Sequence, residues 1–349
     1  MLVSYQYFVI LFFLLICSVW EVFKKGKLPY QKSIFVFFTV VLILYCGFRP
    51  LDLDQDIKMY FNYFQKFCSY SFYEIIFKDQ HRIKEKGYIL ANKLFCHIGF
   101  RPMILFFAIL GIGIKSVIIS RKSGYPILCL FLYAVIFLPL REYTQIRDAL
   151  SSSFIIISLL YFNRKEFYVS ILYFLIALSF HFVALIYIPI AIFMVLVKRD
   201  LYYILLLLMG CILFFLKPTE WLKAGNYLPE QISKYNQAQG SGSSLILLFV
   251  VIVLFLYFYS KKYYDYKSVI DTEFYVKLSF IGVFIGLVTY HHAVLSRLSN
   301  LLVFFSILLL SKLIPSLSNS RMKYLFICIL IIFYIFGVRN FILIVGQGI

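Results

Sequence analysis

The chain has 349 residues, of which 62% are hydrophobic and 14% charged, with a formal net charge of +18. Soluble globular domains are nearer half apolar and about a quarter charged, so a soluble fold could not hide this much apolar surface. The basic residues come as short clusters between apolar runs, the layout of topology signals rather than of a nucleic-acid-binding patch.

A helix needs about 20 apolar residues to cross the hydrocarbon of a bilayer. The strict alternation a barrel would need is absent, so the apolar runs are predicted to be helices. The first run, Leu2 to Trp20, lacks a basic leader and is followed by Glu21 and a lysine cluster rather than by small residues. It is therefore expected to be a span, not a cleavable signal. Spans are predicted near residues 2–22, 33–48, 102–120, 125–140, 146–162, 167–180, 182–197, 201–216, 244–260, 274–293, 298–314 and 323–344. The expected fold class is all-α: one polytopic membrane domain over residues 1–349, with about twelve (roughly 10–14) transmembrane helices. Basic clusters at Lys24, Lys25, Lys27 and Lys32, at Arg121 and Lys122, and at Arg164 and Lys165 mark one face. Lys198 and Arg199, then Lys261, Lys262 and Lys267, then Lys312, Arg321 and Lys323 continue the same phase. The positive-inside rule puts this face in the cytoplasm and both termini outside.

The exterior then holds two long segments, residues 49–101 and 217–243. The first interleaves Tyr60, Phe61, Tyr63, Phe64, Phe67, Tyr70, Phe72 and Tyr73 with charges, a pattern for short amphipathic helices in the interface. Of the seven cysteines only Cys68 and Cys96 share a long polar segment, so a disulfide there is open. The second segment, with Pro218, Trp221, Gly225, Pro229 and the run from Gly240 to Ser243, has the composition of a lid or entry loop. No internal repeat is visible.

Charged residues recur at exterior span ends, where topology does not call for them. Arg141-Glu142-Tyr143-Thr144-Gln145-Ile146-Arg147-Asp148 lies between two apolar runs. Charges near that depth are costly unless paired or facing a wet cavity. The bland alternative pairs sequence neighbours, Arg147 with Asp148 or Arg141 with Glu142. The functional one uses the planar guanidinium fork to hold phosphate or carboxylate. Arg49 ends the second span and precedes Asp52, Asp54 and Asp56; Asp56 and Tyr60 are four apart on one helix face. The acidic triplet lacks the glycine and terminal glutamate of a calcium loop. His181 stands at a span end, as a packing residue or as a base that titrates near neutrality. His291 and His292 diverge by about 100° on a helix, so they are poorly placed to share a metal, and Arg297 is a second candidate anion clamp or a headgroup anchor. No phosphate loop, dinucleotide fingerprint, HExxH or GxSxG occurs, so no cofactor or metal is expected.

Gly47-Phe48-Arg49 followed by Asp56-Ile57-Lys58-Met59-Tyr60 resembles the "G-x-R … D-x-x-x-Y" opening of the EpsG-like branch of Wzy polysaccharide polymerases. Glu85-Lys86-Gly87-Tyr88 resembles that family's "E-x-G-Y", Ile146-Arg147 its "I-R-x-x-[IL]-A", and Phe180-His181 its "F-H-x-S-A". Order and spacing agree over roughly residues 45–190, with Asp148 where the family usually has glutamine and Val183 where serine is common.

The resemblance implies a bacterial inner-membrane glycosyltransferase that polymerises undecaprenyl-diphosphate-linked repeat units of O-antigen or capsule type, without metal or nucleotide. Its partners would be lipid-linked glycans, membrane lipid and a chain-length regulator, with no nucleic acid. Arg49, Arg147, Arg297 and, secondarily, Arg141 would bind diphosphate; His181, Asp56 or Glu142 would activate the acceptor hydroxyl; Tyr60, Glu85 and Tyr88 would contact substrate. Competing readings are a lipid-linked oligosaccharide flippase or exporter, a polyprenyl-phosphate-sugar-dependent enzyme adding a single sugar, and an acyltransferase for exported glycans.

Overall fold

The computed structural model describes residues 2–51, 55–77, 85–197, 200–217, 243–261, 271–290, 293–316 and 320–346. Among these residues the chain is built from helices and contains no strand. In order they are α1 (Leu2–Phe23), α2 (Gln31–Gly47), α3 (Gln55–Ser69), α4 (Phe72–Phe77), α5 (Lys86–Phe95), α6 (Phe100–Lys122), α7 (Pro126–Ile136) and α8 (Ile146–Asn163). Then come α9 (Phe167–Phe180), α10 (Tyr187–Leu196), α11 (Asp200–Leu216), α12 (Ser243–Lys261), α13 (Thr272–Val288), α14 (Ala293–Leu313) and α15 (Ser320–Gly346).

Three stretches, Tyr5–Phe23, Phe100–Lys122 and Lys323–Leu343, are long and apolar enough to cross a bilayer. Shorter apolar helices fall at seven of the other predicted runs, and α8 and α13 occupy the runs at 146–162 and 274–293. Large apolar side chains face outward all along them, among them Phe12 and Phe13 of α1, Val36 and Phe37 of α2, and Leu172 and Leu175 of α9. In water this surface would be untenable; in lipid it is the expected exterior.

The run predicted as one span over 125–140 is not a single α-helix. α7 stops at Ile136, and Leu138–Glu142 forms a π-turn in which the Tyr143 amide donates to the Leu138 carbonyl at 2.8 Å. Pro139 explains the break, since it has no N–H and crowds the preceding turn. Likewise the run at 182–197 opens with a 3-10 turn, Phe182–Ile186, before α10.

The described residues fall into two compact units, Met1–Tyr187 with Asn319–Ile349, and Ile188–Ser318. In the first, α1 packs on α7, α2 on α6, α6 on α8, and α8 on α9. Hydroxyl side chains stitch these contacts without exposing backbone to lipid: Ser151 donates to the Ala177 carbonyl at 3.0 Å, Ser153 to the Gly111 carbonyl at 3.0 Å, and Tyr7 to the Ala134 carbonyl at 3.0 Å. Glu21 of α1 is fully buried and serves the N-terminus of α7, accepting from the Ile127 and Leu128 amides at 3.2 and 2.9 Å. Those amides would otherwise be orphans at a helix start, and a carboxylate suits the positive end of the helix dipole. In the second unit, α13 and α14 form the main pair, joined by Ser279 and Ser306 at 2.8 Å and closely apposed at Gly282 and Leu302.

The segment predicted to lie in the interface does form short amphipathic helices, but their apolar stripe is spent on protein. Ile57, Tyr60, Phe64 and Phe67, at helical spacing on α3, are buried in one cluster with Ile89 of α5 and Phe100, Met103, Ile104 and Phe107 of α6. Ser71 and Glu74 make a reciprocal capping box at the start of α4. Cys68 and Cys96 are joined by a disulfide that ties the end of α3 to the end of α5, and Lys93 donates to the Cys68 and Tyr70 carbonyls.

Candidate functional site

Four motif fragments distant in sequence meet at one end of the α6, α8 and α9 layer. Glu85 precedes α5 in an extended conformation, and its side chain makes no cap bond to its own helix. It turns instead to Arg147, second residue of α8, whose Nη1 lies 3.4 Å from both carboxylate oxygens. His181 ends α9: its backbone is extended (φ −159°, ψ 133°), which stops the helix and sends the imidazole toward Glu85, with Nδ1 3.1 Å from Oε1. Because a carboxylate only accepts, Nδ1 carries the hydrogen and Nε2 is left as the basic nitrogen.

The Arg147 guanidinium lies over two rings, 5.5 Å from the centroid of Tyr60 and 5.3 Å from that of Tyr88. These rings meet edge to face at 6.2 Å. A cation at a helix N-terminus opposes the helix dipole, so α8 gains nothing from an arginine there. Glu85 and the two π faces hold it in place. Burial, only partly offset by Arg147, pushes the Tyr60 phenol up to about 12, so it stays protonated at neutral pH. Burial also acts to raise the Glu85 carboxyl, but the hydrogen bond from His181 and the charge of Arg147 outweigh it and hold that carboxyl below its ordinary value. The side chains of Glu85, Arg147 and His181 are 7%, 16% and 25% exposed, so the cluster is open on the histidine side.

Gly87 explains why glycine stands between Glu85 and Tyr88. A Cβ there would collide with the Ser179 hydroxyl and come within 2.9 Å of the Ser179 carbonyl oxygen. The bare backbone lets α5 lie on the end of α9, two residues before His181. Phe180 in turn packs against Phe107 and Phe154 and fixes that end.

The other predicted residues are placed differently. Arg49 is buried, donates from Nη1 to the Glu142 carbonyl at 3.0 Å and lies 5.4 Å from the Tyr143 ring centroid. It lines a narrow crevice with Ile104, Phe107, Glu142 and Ile146. Asp56 sits in the first turn of α3, one turn before Tyr60. Arg141 pairs with Asp148, Nε to Oδ2 at 3.4 Å, and Glu142 pairs with Lys115 at 2.6 Å. Neither pairing of sequence neighbours is formed. Asp52, Asp54, His291 and His292 lie outside the described residues, as does the lid expected at 218–242; Arg297 lies on α14, its side chain outside them.

Lys115 is the residue sequence reasoning missed. It is wholly buried, donates to Glu142 Oε1 at 2.6 Å and to the Ala149 carbonyl at 2.8 Å, and stands seven residues before the end of α6, about 10 Å at 1.5 Å per residue. A lone charge in the middle of the apolar run 102–120 was the available signal.

No curated protein and no solved structure matches the chain. The EpsG family model matches residues 32–347, so this chain belongs to the EpsG family, which is associated with glycosyl transfer in polysaccharide synthesis.

Proposed function

We propose that the protein joins undecaprenyl-diphosphate-linked oligosaccharide units into a surface polysaccharide, at the outer side of a bacterial cytoplasmic membrane. The observation that carries this reading is the convergence of Glu85, Arg147 and His181, three residues from separate family-like motifs, in one partly open cluster.

The reaction has a sugar hydroxyl of one lipid-linked unit attack the anomeric carbon of the growing glycan. The bond from that carbon to the diphosphate oxygen breaks, and the lipid diphosphate departs with the electron pair. His181 Nε2 takes the hydroxyl proton, while Glu85 orients the ring through Nδ1. Arg147, already oriented over Tyr60 and Tyr88, meets the charge growing on the diphosphate, and Arg49 adds positive field from the neighbouring crevice. Tyr60 and Tyr88 belong to the walls that would receive sugars. Glu142 is held by Lys115, which favours a structural role over that of acceptor base.

The disulfide supports an exterior position for residues 49–101, since such bonds persist in oxidising compartments. An exporter would use cations along a path through the bilayer. Lys115, deep in α6, is instead committed to Glu142 and a backbone carbonyl, which favours the transferase.

Deleting the gene is expected to leave surface glycan as a single-repeat product. Wild type should restore polymer, and His181→Ala, at equal membrane abundance, should lower polymer formation by about 10²–10⁴-fold, the usual contribution of a general base. Unchanged polymer length on deletion, or loss of outward-facing units altogether, overturns the proposal.

A further inference from the structure

The opposite end of the same helix layer holds a second feature, which the transfer chemistry does not use. Between α6, α8 and α9 runs a groove of about 450 Å³, within the size range of small-molecule sites. Its walls are aliphatic, with Ile114, Val117 and Ile157 among them, and Tyr161 and Tyr173 line one side. Arg121, Lys122 and Arg164 are gathered at its rim. A Cβ on Gly113, which lines the groove, would meet no heavy atom within 4 Å, so the glycine keeps space open.

We propose that this groove binds one anionic phospholipid of the surrounding leaflet, its phosphate between Arg121, Lys122 and Arg164 and an acyl chain along α6 and α8. Charge complementarity argues for this occupant. The carboxyl-terminal ends of α6 and α8 carry partial negative charge and would by themselves repel an anion. Arg121 and Arg164 oppose that field at one mouth of an otherwise apolar trough. The rim is also ordered: the Arg164 guanidinium lies 5.7 Å from the Tyr161 ring centroid, and Tyr161 stacks on Tyr173 at 5.6 Å and 9°. A soluble anion would leave the aliphatic trough unfilled, and a neutral lipid would offer no counter-charge to Arg121 and Arg164. α6 has 23 residues, about 34 Å at 1.5 Å per residue, so the basic mouth of this groove, at the end of α6, is remote from the Glu85 cluster at its start. The proposal stands independently of the transferase reading.

The test uses the purified full-length chain in nanodiscs containing equal phosphatidylglycerol and phosphatidylcholine, with retained lipid counted by native mass spectrometry. Wild type should favour phosphatidylglycerol by on the order of ten- to a hundredfold, as expected for three cations near one headgroup. R121Q/K122Q/R164Q should remove the preference. Gly113→Leu, which keeps every charge and fills the trough, should lower retention of the lipid at least severalfold. K24Q/K25Q/K27Q removes three exposed cations of another basic connection and should change nothing. Equal retention of both lipids by wild type, equal loss in the control triple, or undiminished retention in Gly113→Leu overturns the proposal. So does displacement of the phospholipid by undecaprenyl phosphate at equal concentration, which would make the groove a carrier-lipid site.

Discussion

Residues Arg141–Asp148 contribute to two charge clusters that differ in how completely they are closed. Toward the membrane interior, Lys115, Glu142, Arg141 and Asp148 pair two against two, with side chains no more than 5% exposed. Toward the helix end, the Glu85 carboxylate is shared between the Arg147 guanidinium and the His181 imidazole, with up to a quarter of the imidazole exposed. The first arrangement balances its charge within the protein. In the second, one carboxylate serves both the Arg147 guanidinium and the His181 imidazole, and the histidine side is open. Mere occurrence of arginines at an unusual depth therefore does not mark the site; what distinguishes it is a carboxylate shared between two partners together with access.

The largest way to test this contrast is to open the closed cluster. Lys115→Met strands the Glu142 carboxylate in a dry interior, and losing one partner of a buried pair costs about 3–5 kcal/mol. Thermal unfolding in detergent should register this, and K115M/E142L should recover most of it, because apolar packing replaces both charges at once. If the double variant is no more stable than the single, the pair is not self-contained.

Next in size is the open cluster. Arg147→Ala should lower polymer formation by about 10²–10³-fold, the scale for loss of one preorganised electrostatic contact, with a smaller loss of melting temperature than Lys115→Met because Glu85 keeps its hydrogen bond with His181. Arg147→Lys should recover little, since a point charge cannot reproduce the planar fork over two rings. Full activity in Arg147→Lys would reduce the residue to a simple counterion.

The smallest effect concerns pH. Because the Glu85 carboxyl is held below its ordinary value, its ionised form stabilises the fold. That contribution is fully present above the unfolded value of about 4.3 and is lost as pH falls through the lower folded value. The melting temperature of wild type should therefore exceed that of Glu85→Gln above about pH 5 and approach it on acidification. A constant gap from neutrality down to acid would mean that His181 and Arg147 do not act on this carboxylate.

Much of this contrast was legible in the sequence, and the remainder was not for physical reasons. The apolar runs located the helices because lipid leaves the backbone no other way to pair its polar groups. Glu85, Arg147 and His181 stood out as polar residues at span ends, but nothing in their spacing of 62 and 34 residues said that they would touch one another. The partners of Arg141 and Glu142 were hidden for the same reason: a π-turn rotates adjacent side chains onto different neighbours, and Pro139 gave only a hint of it. Lys115 was hidden by hydropathy, which averages one charge away across a window of some 19 residues.

The cap that Glu21 places on α7 bears on how such a chain is made. Its carboxylate emerges from the ribosome 105 residues before Pro126 opens the helix it will serve. α1 and α2 can thus be seated first, with Glu21 sheltered by Gln31, whose side-chain amide donates to it. When α7 follows, its leading amides meet an acceptor already in position instead of going unpaired at the membrane boundary. Biogenesis in this order spares a short, proline-led helix the period when insertion would be least favourable, and it makes the first span a template for the fourth.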